Sequence, residues 1–428
     1  MSELPDGWEW RSLGELLLGN GDRDKLQQGW SPRCETYPAA DDHWGVLKTT
    51  AVQAGWFDDT QNKQLPGHLA PRPTLEVCVG DLLITSAGPR SRCGVPTLVR
   101  STRSRLMLSG KFYRFRVTED VESAFLEAWL LSPDAQNDID GMKTGISESG
   151  LNLTQARFLD LRVPLPPLDE QRGIVAILED HLAHLDVAGS RLSRASSQVD
   201  TLVTNILLDL IPDARDYPSD WTMSTVGQAG KVELGRQRHP DWHVGPNMHP
   251  YLRVANVFED RLDLSDVMQM HWPEGSFERF RLKPGDILLN EGQSPQFLGR
   301  PAIYQGDPPD IAFTNSLLRF QANENVLPEF ALLVFRRQMR AGRFSSESRI
   351  TTNIAHLSAG RLKVVEFPIP PLREQRRLVR RAGELLYGAE RLSDHFTTIN
   401  QYQTALRRSL LATAFRGDLI SGSISRNK

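Results

Sequence analysis

Two stretches of the chain carry apolar residues in an alternating four-three spacing. The first runs through Ile174, Leu178, His181, Leu185, Ala188, Leu192, Ala195, Val199, Leu202 and Ile206. The second, 204 residues later, runs through Leu378, Ala382, Leu385, Ala389, Leu392, Phe396, Ile399, Gln403, Leu406 and Leu410. No proline interrupts either. A heptad seam kept this long predicts two helices that pack on each other as a coiled coil. Bulk sits at Leu178, Leu185 and Leu192 on the first helix and at Leu385, Leu392 and Ile399 on the second, so large residues could interlock with the alanines opposite. Each helix follows a proline-marked junction, Pro164-Leu165-Pro166-Pro167-Leu168-Asp169-Glu170-Gln171-Arg172 and Pro368-Ile369-Pro370-Pro371-Leu372-Arg373-Glu374-Gln375-Arg376. The prolines end the preceding strand, and the acidic residue suits the positive end of the new helix. The first helix should stop near Leu210, before Ile211-Pro212, and the second near Phe415-Arg416-Gly417, with glycine as the C-cap.

The repetition extends beyond the helices. Leu4-Pro5-Asp6-Gly7-Trp8 returns as Tyr217-Pro218-Ser219-Asp220-Trp221, Val46-Leu47-Lys48 as Tyr251-Leu252-Arg253, and Gly80-Asp81-Leu82-Leu83-Ile84 as Gly285-Asp286-Ile287-Leu288-Leu289. Gly94-Val95-Pro96 matches Gly299-Arg300-Pro301, and Arg114-Phe115 matches Arg319-Phe320. A shared skeleton with divergent loops predicts one scaffold carrying two different recognition surfaces. Within a half, Leu82–Thr85, Pro96–Val99 and Lys111–Val117 read as strands, and Ala124–Leu131 and Glu329–Phe335 as helices. The fold class is therefore α/β (α+β), two mixed α/β domains separated by two long helices in an antiparallel coiled coil with pseudo-twofold symmetry. The expected boundaries are a first domain at 1–165, a helix at 166–212, a second domain at 213–369, a helix at 370–417 and a tail at 418–428. Helices of this length span about 60 Å at 1.5 Å per residue. The cyclic arrangement places Met1 and Lys428 as near neighbours.

A length of 428 residues exceeds one core. No apolar run reaches membrane-spanning length, and Cys34, Cys78 and Cys93 lack metal-site or disulfide-framework spacing. The expected location is cytoplasmic, with no membrane partner. A net charge of −3 argues against indiscriminate polyanion binding and leaves room for a local basic face.

Such faces are suggested by acid-free stretches. Arg90, Arg92, Arg100, Arg103, Arg105, Lys111, Arg114 and Arg116 fall between Pro89 and Val117 with no acidic residue among them. Arg336, Arg337, Arg340, Arg343 and Arg349 cluster in the second half. Phosphate neutralisation by such residues supplies affinity, whereas sequence choice comes from base contacts. Base readers should lie in loops that differ between the halves. The candidates are Ser86–Arg92, opposite Glu291–Phe297 with Gln293, Ser294 and Gln296, and the loops Thr144–Ser149, with Ser147, and Ser348–Asn353, with Thr351 and Asn353. Lys48 and Arg253, and with them Arg114, Arg300 and Arg319, are candidate DNA contacts at matching positions or beside them. A solvated charged surface is the alternative reading of any single one.

Catalytic patterns are missing from the sequence. Asp307-Pro308-Pro309-Asp310 has Asp where a methyltransferase motif needs an aromatic to stack on a flipped base, so it reads as a proline turn. No lysine has an acidic residue two positions before it, and there is no Walker loop. His239, His243 and His249 share a loop at irregular spacing, a weak metal signal. His181 falls on the predicted seam, where it would set register.

The two junctions, their heptad helices and the closing Leu406-Arg407-Arg408-Ser409-Leu410-Leu411-Ala412-Thr413-Ala414-Phe415-Arg416-Gly417 resemble the specificity subunit of Type I restriction–modification enzymes, across nearly the whole chain. The resemblance implies a non-catalytic subunit with two target-recognition domains, each reading half of a split, asymmetric site on double-stranded DNA. It implies that the helices, through Leu178, Leu185, Leu192, Val199, Leu385, Leu392, Ile399 and Leu406, form the spacer and the docking platform for two methyltransferase subunits. Motor-nuclease subunits complete the complex. AdoMet, ATP and Mg are expected on those partners, with no cofactor on this chain. One departure is that Asn205-Ile206-Leu207-Leu208-Asp209-Leu210 lacks the A-F-x-G ending. Alternatives are an orphan or methylation-only specificity subunit, or an assembly scaffold that never touches bases.

Overall fold

The computed structural model describes residues 4–19, 21–145, 150–346, 349–351, 354–417 and 419, with the backbone alone for 22–23, 349–351 and 354. The chain divides into two compact units, 1–191 with 398–428, and 192–397. Each therefore holds a mixed globule plus part of both long helices.

In the first unit, Glu9–Ser12 pairs antiparallel with Arg162–Leu165. Pro164 lies within this two-stranded pair, where a missing N–H is tolerated, and the strand ends before Pro166-Pro167. The central sheet runs in the order Gln27–Gln28, Phe112–Phe115, Leu82–Thr85, Pro96–Leu98. A second sheet sets Gly45–Leu47 between Leu106–Met107, parallel, and Asn62–Gln64, antiparallel. Helix α1 (Ser123–Leu131) buries Phe125, Leu126, Trp129 and Leu130. Their core also takes Ile174 and Leu178 from helix α2 (Leu168–Leu210) together with Leu411 and Ala414 from the second long helix and Phe415 just beyond it. The Phe415 ring meets Phe125 and Trp129 edge-on, with centroids 5.3 and 5.1 Å apart.

The second unit repeats this plan. Thr222–Thr225 pairs with Glu366–Ile369, and the central sheet runs Gly230–Leu234, Leu317–Ala322, Ile287–Asn290, Pro301–Ile303. Met248–Leu252 lies between Met268–His271, antiparallel, and Ala312–Phe313, parallel. Helix α3 (Pro328–Arg340) packs on the sheet. The core recruits Val203, Leu207 and Ile211 from α2 and its end, and Leu378, Ala382, Leu386 and Ala389 from helix α4 (Leu372–Ala414).

The repeated residues explain themselves once folded. Gly80 and Gly285 have φ of +89° and +90°, a turn conformation that suits glycine. The aspartate after each accepts a backbone N–H, Asp81 from Cys78 at 2.8 Å and Asp286 from Lys283 at 3.0 Å. The Gln of each junction is fully buried. Gln171 Oε1 accepts Glu122 N–H at 2.8 Å, and its Nε2 donates to the Asp120 and Pro166 carbonyls. Gln375 does the same with Leu327 N–H and the Asn325 and Pro370 carbonyls. It is this amide clamp that ties each helix start to its globule. The acidic neighbour plays a local part: Glu170 accepts the Trp8 indole N–H, and Glu374 pairs with Arg377.

The long helices lie against each other within each unit, but the seam differs from the expected one at alternate positions. On α2 the covered residues include Leu182, Leu185, Gly189, Leu192, Ala195, Ser196, Val199, Val203 and Ile206. His181, Ala188 and Leu202 face outward. On α4 the covered positions include Ala382, Leu386, Ala389, Phe396, Gln403, Arg407, Leu410 and Ala414, whereas Leu385, Leu392, Ile399 and Leu406 are 36–50% exposed. The expected interlocking of leucines is thus replaced by small and polar contacts. The Gln403 amide donates to the Leu185 carbonyl beside Gly189, where a Cβ would come within 2.6 Å of that amide. Arg407 pairs with Asp186.

Met1 and Lys428 lie outside the described residues. Within the first unit, Leu4 and Leu419 pack on the same core, and Gly417, φ +81°, sits against Pro5.

Candidate nucleic-acid interface

The acid-free runs of the sequence meet carboxylates in space. Arg114 and Arg319 lie on central-sheet strands and pair with Asp81 and Asp286, each at 3.4 Å. Arg319 is also 2.6 Å from Glu233 and nearly inaccessible. Both side chains are engaged in ties within their own unit. Arg336 bonds Glu259 and Asp260, Arg337 pairs with Asp213, Arg340 is 2.7 Å from Glu259, and Arg343 is 2.9 Å from Glu366. Arg100 is 2.8 Å from Glu127, and Arg103 and Arg105 donate to backbone carbonyls. Charges committed to such partners are poorly placed to meet phosphates. Linear spacing could not reveal this, because the partners lie tens of residues away.

The remaining candidates divide. Arg90 pairs with Asp140 at 2.6 Å, and Arg92 donates to Gln53 at 3.0 Å. Ser86 is buried at 3% exposure. Arg253 pairs with Asp266. Arg300 packs over Phe258 and Phe297, and burial pulls its guanidinium below the ordinary range. Gln293 accepts the Ser294 N–H, and Gln296 is exposed. Ser147 and Asn353 lie outside the described residues, as does the Thr351 side chain.

The structure does bring the two divergent loop sets of each unit together. Ala87–Gly88 forms one sheet with Leu151–Leu153 and Lys143–Thr144. Gly292–Gln293 forms the equivalent sheet with Ile354–His356 and Arg349–Thr351. Each strand after the central sheet is thus stitched to the hairpin that carries the other variable segment.

Lys48 lines an open cleft of about 660 Å³ in the first unit, with Arg33, Lys63 and Lys111. No carboxylate lines it, and among the described residues none of these four cations has an ion-pair partner. Arg33, Lys63 and Lys111 are exposed and Lys48 half-buried. Thr50 and Gln61, hydrogen-bonded to each other at 2.9 Å, add polar groups to the wall. Sequence reading found Lys48 and Lys111 but missed Arg33 and Lys63. Lys63 could have been found through Val46, which it faces across the strand pair.

Among the described residues, no group of three His, Cys, Asp or Glu is placed to hold a metal, and no helix is long and apolar enough to cross a membrane. His249 stacks on Phe277 at 4.0 Å, and His239 lies beside Trp242.

The architecture defines a class: a duplicated α/β recognition module in which each copy is clamped to a long helix. Comparisons with known proteins show what the chain is similar to. Residues 104–191 match the family model of the Type I restriction modification DNA specificity domain. The chain is 38% identical to the EcoEI specificity subunit of Escherichia coli over 195 residues, which is 45% of this chain and 32% of that protein's length. Against the EcoKI specificity subunit of Escherichia coli K12 it is 23% identical, over 97% of this chain and 90% of that one. A solved chain of a type I R-M system shares the fold at a TM-score of 0.62 and 20% identity, covering 98% of this chain and all of that one. Over these stretches the chain is similar to the specificity subunits of Type I restriction–modification enzymes.

Proposed function

We propose that this chain is the DNA-recognition subunit of a Type I restriction–modification complex. Each unit reads one half of a bipartite, asymmetric duplex site, and the long helices dock two methyltransferase subunits, with motor-nuclease subunits completing the assembly. AdoMet, ATP and Mg belong to those partners. The observation that carries the reading is the pairing of a shared skeleton with unlike loop sheets. Ala87–Gly88 and Gly292–Gln293 hold equivalent positions yet present different side chains, as two different half-sites require. Two segments that stand in for one another structurally but not chemically are poorly explained by a scaffold role.

Docking is supported by the outward face of α4. Leu385, Leu392, Ile399 and Leu406 recur every seven residues, so they share one face of the helix, and each is at least a third exposed. The residues that sequence assigned to the seam therefore suit a partner better than they suit α2.

The test is a loop exchange in the complex with its methyltransferase. Replacing Ser86–Arg92 and the Lys143–Leu153 hairpin with those of a relative should change modified adenines at one half-site only, read by sequencing of modified DNA. A change at both half-sites, or none, would remove modular reading.

A further inference from the structure

The two units should not grip DNA equally. Strand registers allow position-by-position matching of the basic cleft in the first unit with the same place in the second. Val46 and Tyr251 are equivalent, each at the centre of a three-stranded sheet with one parallel neighbour. Across the antiparallel neighbour, Val46 faces Lys63, whereas Tyr251 faces Met268. The Lys111 carbonyl accepts Ser86 N–H, and the matching carbonyl accepting Glu291 N–H is that of Ser316. Trp30 and Arg236 donate backbone N–H groups to matching carbonyls of Leu108 and Phe313, which aligns Arg33 with His239. Lys48 aligns with Arg253.

Read this way, Arg33, Lys48, Lys63 and Lys111 become His239, Arg253, Met268 and Ser316. The surviving arginine is neutralised by Asp266, and the His239 ring lies 3.2 Å from an Asp241 carboxylate. In the first unit Glu35 lines the adjoining hollow rather than the cleft itself. Four unpaired cations are thus set against one paired arginine.

We infer that the cleft of Lys48, Lys63, Lys111 and Arg33 is the main phosphate-binding surface of the molecule, supplying most of its salt-sensitive affinity for duplex DNA, while the second unit contributes little electrostatic grip. This rests on the DNA-recognition reading above. The physical basis is counterion release, which lowers the log-log salt slope by about 0.9 for each phosphate neutralised.

The test measures binding of the full chain, in complex with its methyltransferase subunits, to a random-sequence DNA duplex across a salt series. Combining K48Q, K63Q and K111Q should flatten the slope by about 2.7, three phosphates' worth. A charge-matched control in the second unit, R238Q with R253Q and K283Q, should move it by less than about one phosphate's worth. M268K, which restores a lysine facing Tyr251, should steepen the slope. Lys63, Lys111, Arg238 and Lys283 are exposed and Lys48, Arg253 and Met268 half-buried, and M268K is a gain that misfolding cannot imitate. Equal flattening by both triple variants, or none by the first, would overturn the unequal division. A wild-type complex that fails to hold the duplex even at low salt would instead overturn DNA recognition itself.

Discussion

Arg114 in the first unit and Arg319 in the second occupy the same rung of the same sheet. Each lies between a strand-edge residue and a central leucine, Gln27 and Leu83 in one, Glu233 and Leu288 in the other. Each reaches the aspartate of a glycine turn at 3.4 Å. Around that shared pair the charges are exchanged. Asp81 also takes Arg116 at 2.7 Å, where Asp286 takes the neutral Gln321 at 2.8 Å. Arg114 reaches Gln27, where Arg319 reaches Glu233. The first cluster therefore sums to one positive charge, and so does the second, where the added Glu233 carboxylate is also paired with Arg279 at 2.8 Å and Lys231 at 3.5 Å. The lesson is that the partners around the aspartate–arginine tie can change while the tie stays in place, so each unit can vary its side chains without altering its skeleton.

The comparison can be broken most severely at the arginines. Arg319→Gln leaves the buried Asp286 carboxylate without a counter-charge, while Glu233 keeps Arg279 and Lys231, and should cost about 3–5 kcal/mol. Arg114→Gln leaves Asp81 with Arg116 and should cost about 1–2 kcal/mol. Urea unfolding of each variant measures the difference, and equal losses would show that Arg116 does not compensate Asp81. The junction glutamines sharpen the opposite claim, that the units are alike. Gln171→Ala and Gln375→Ala each leave one N–H and two carbonyls without partners, and each should lose about 2–3 kcal/mol. Markedly unequal losses would mean that one clamp is redundant.

Acid provides a finer probe. Burial pushes the Glu233 carboxyl up, but hydrogen bonds from Arg279 and Arg319 outweigh it and hold the group below its usual range. A lowered carboxylate stabilises fully above its unfolded value, about 4.3, and that contribution fades as pH falls through the lower folded value. Glu233→Gln should therefore flatten the acid limb of a stability–pH curve. No matching effect is available at Gln27, which does not titrate. The smallest stability change belongs to the exposed stripe of α4. Leu392→Ser and Ile399→Ser should stay within about 0.5 kcal/mol of wild type, because neither side chain is buried. Co-purification with the methyltransferase should nevertheless fall sharply.

Much of this molecule was legible from the chain alone. Duplication, the two long helices, the strand Leu82–Thr85 and the glycine turns follow from local rules of periodicity, proline placement and positive φ. So does the helix of Ser123–Leu131, one residue longer than expected. The functional surface was far less legible. An arginine's freedom depends on what approaches it through space, and Glu259 and Asp260, 76 or more residues from Arg336, are invisible to spacing. The seam failed for a related reason. A four-three pattern admits two neighbouring tracks on one helix, and side-chain bulk, a sound guide at Leu185, Leu192 and Val199 of α2, chose the wrong alternate positions on α4.

What the sequence determined by itself is which segments form elements and that there are two copies, because those depend on interactions between residues near in the chain. What the tertiary structure decided is which cations remain unpaired and which helix face is covered. Both are properties of packing between distant segments. Electrostatic partners and buried faces are chosen by whichever groups the fold brings within a few ångströms.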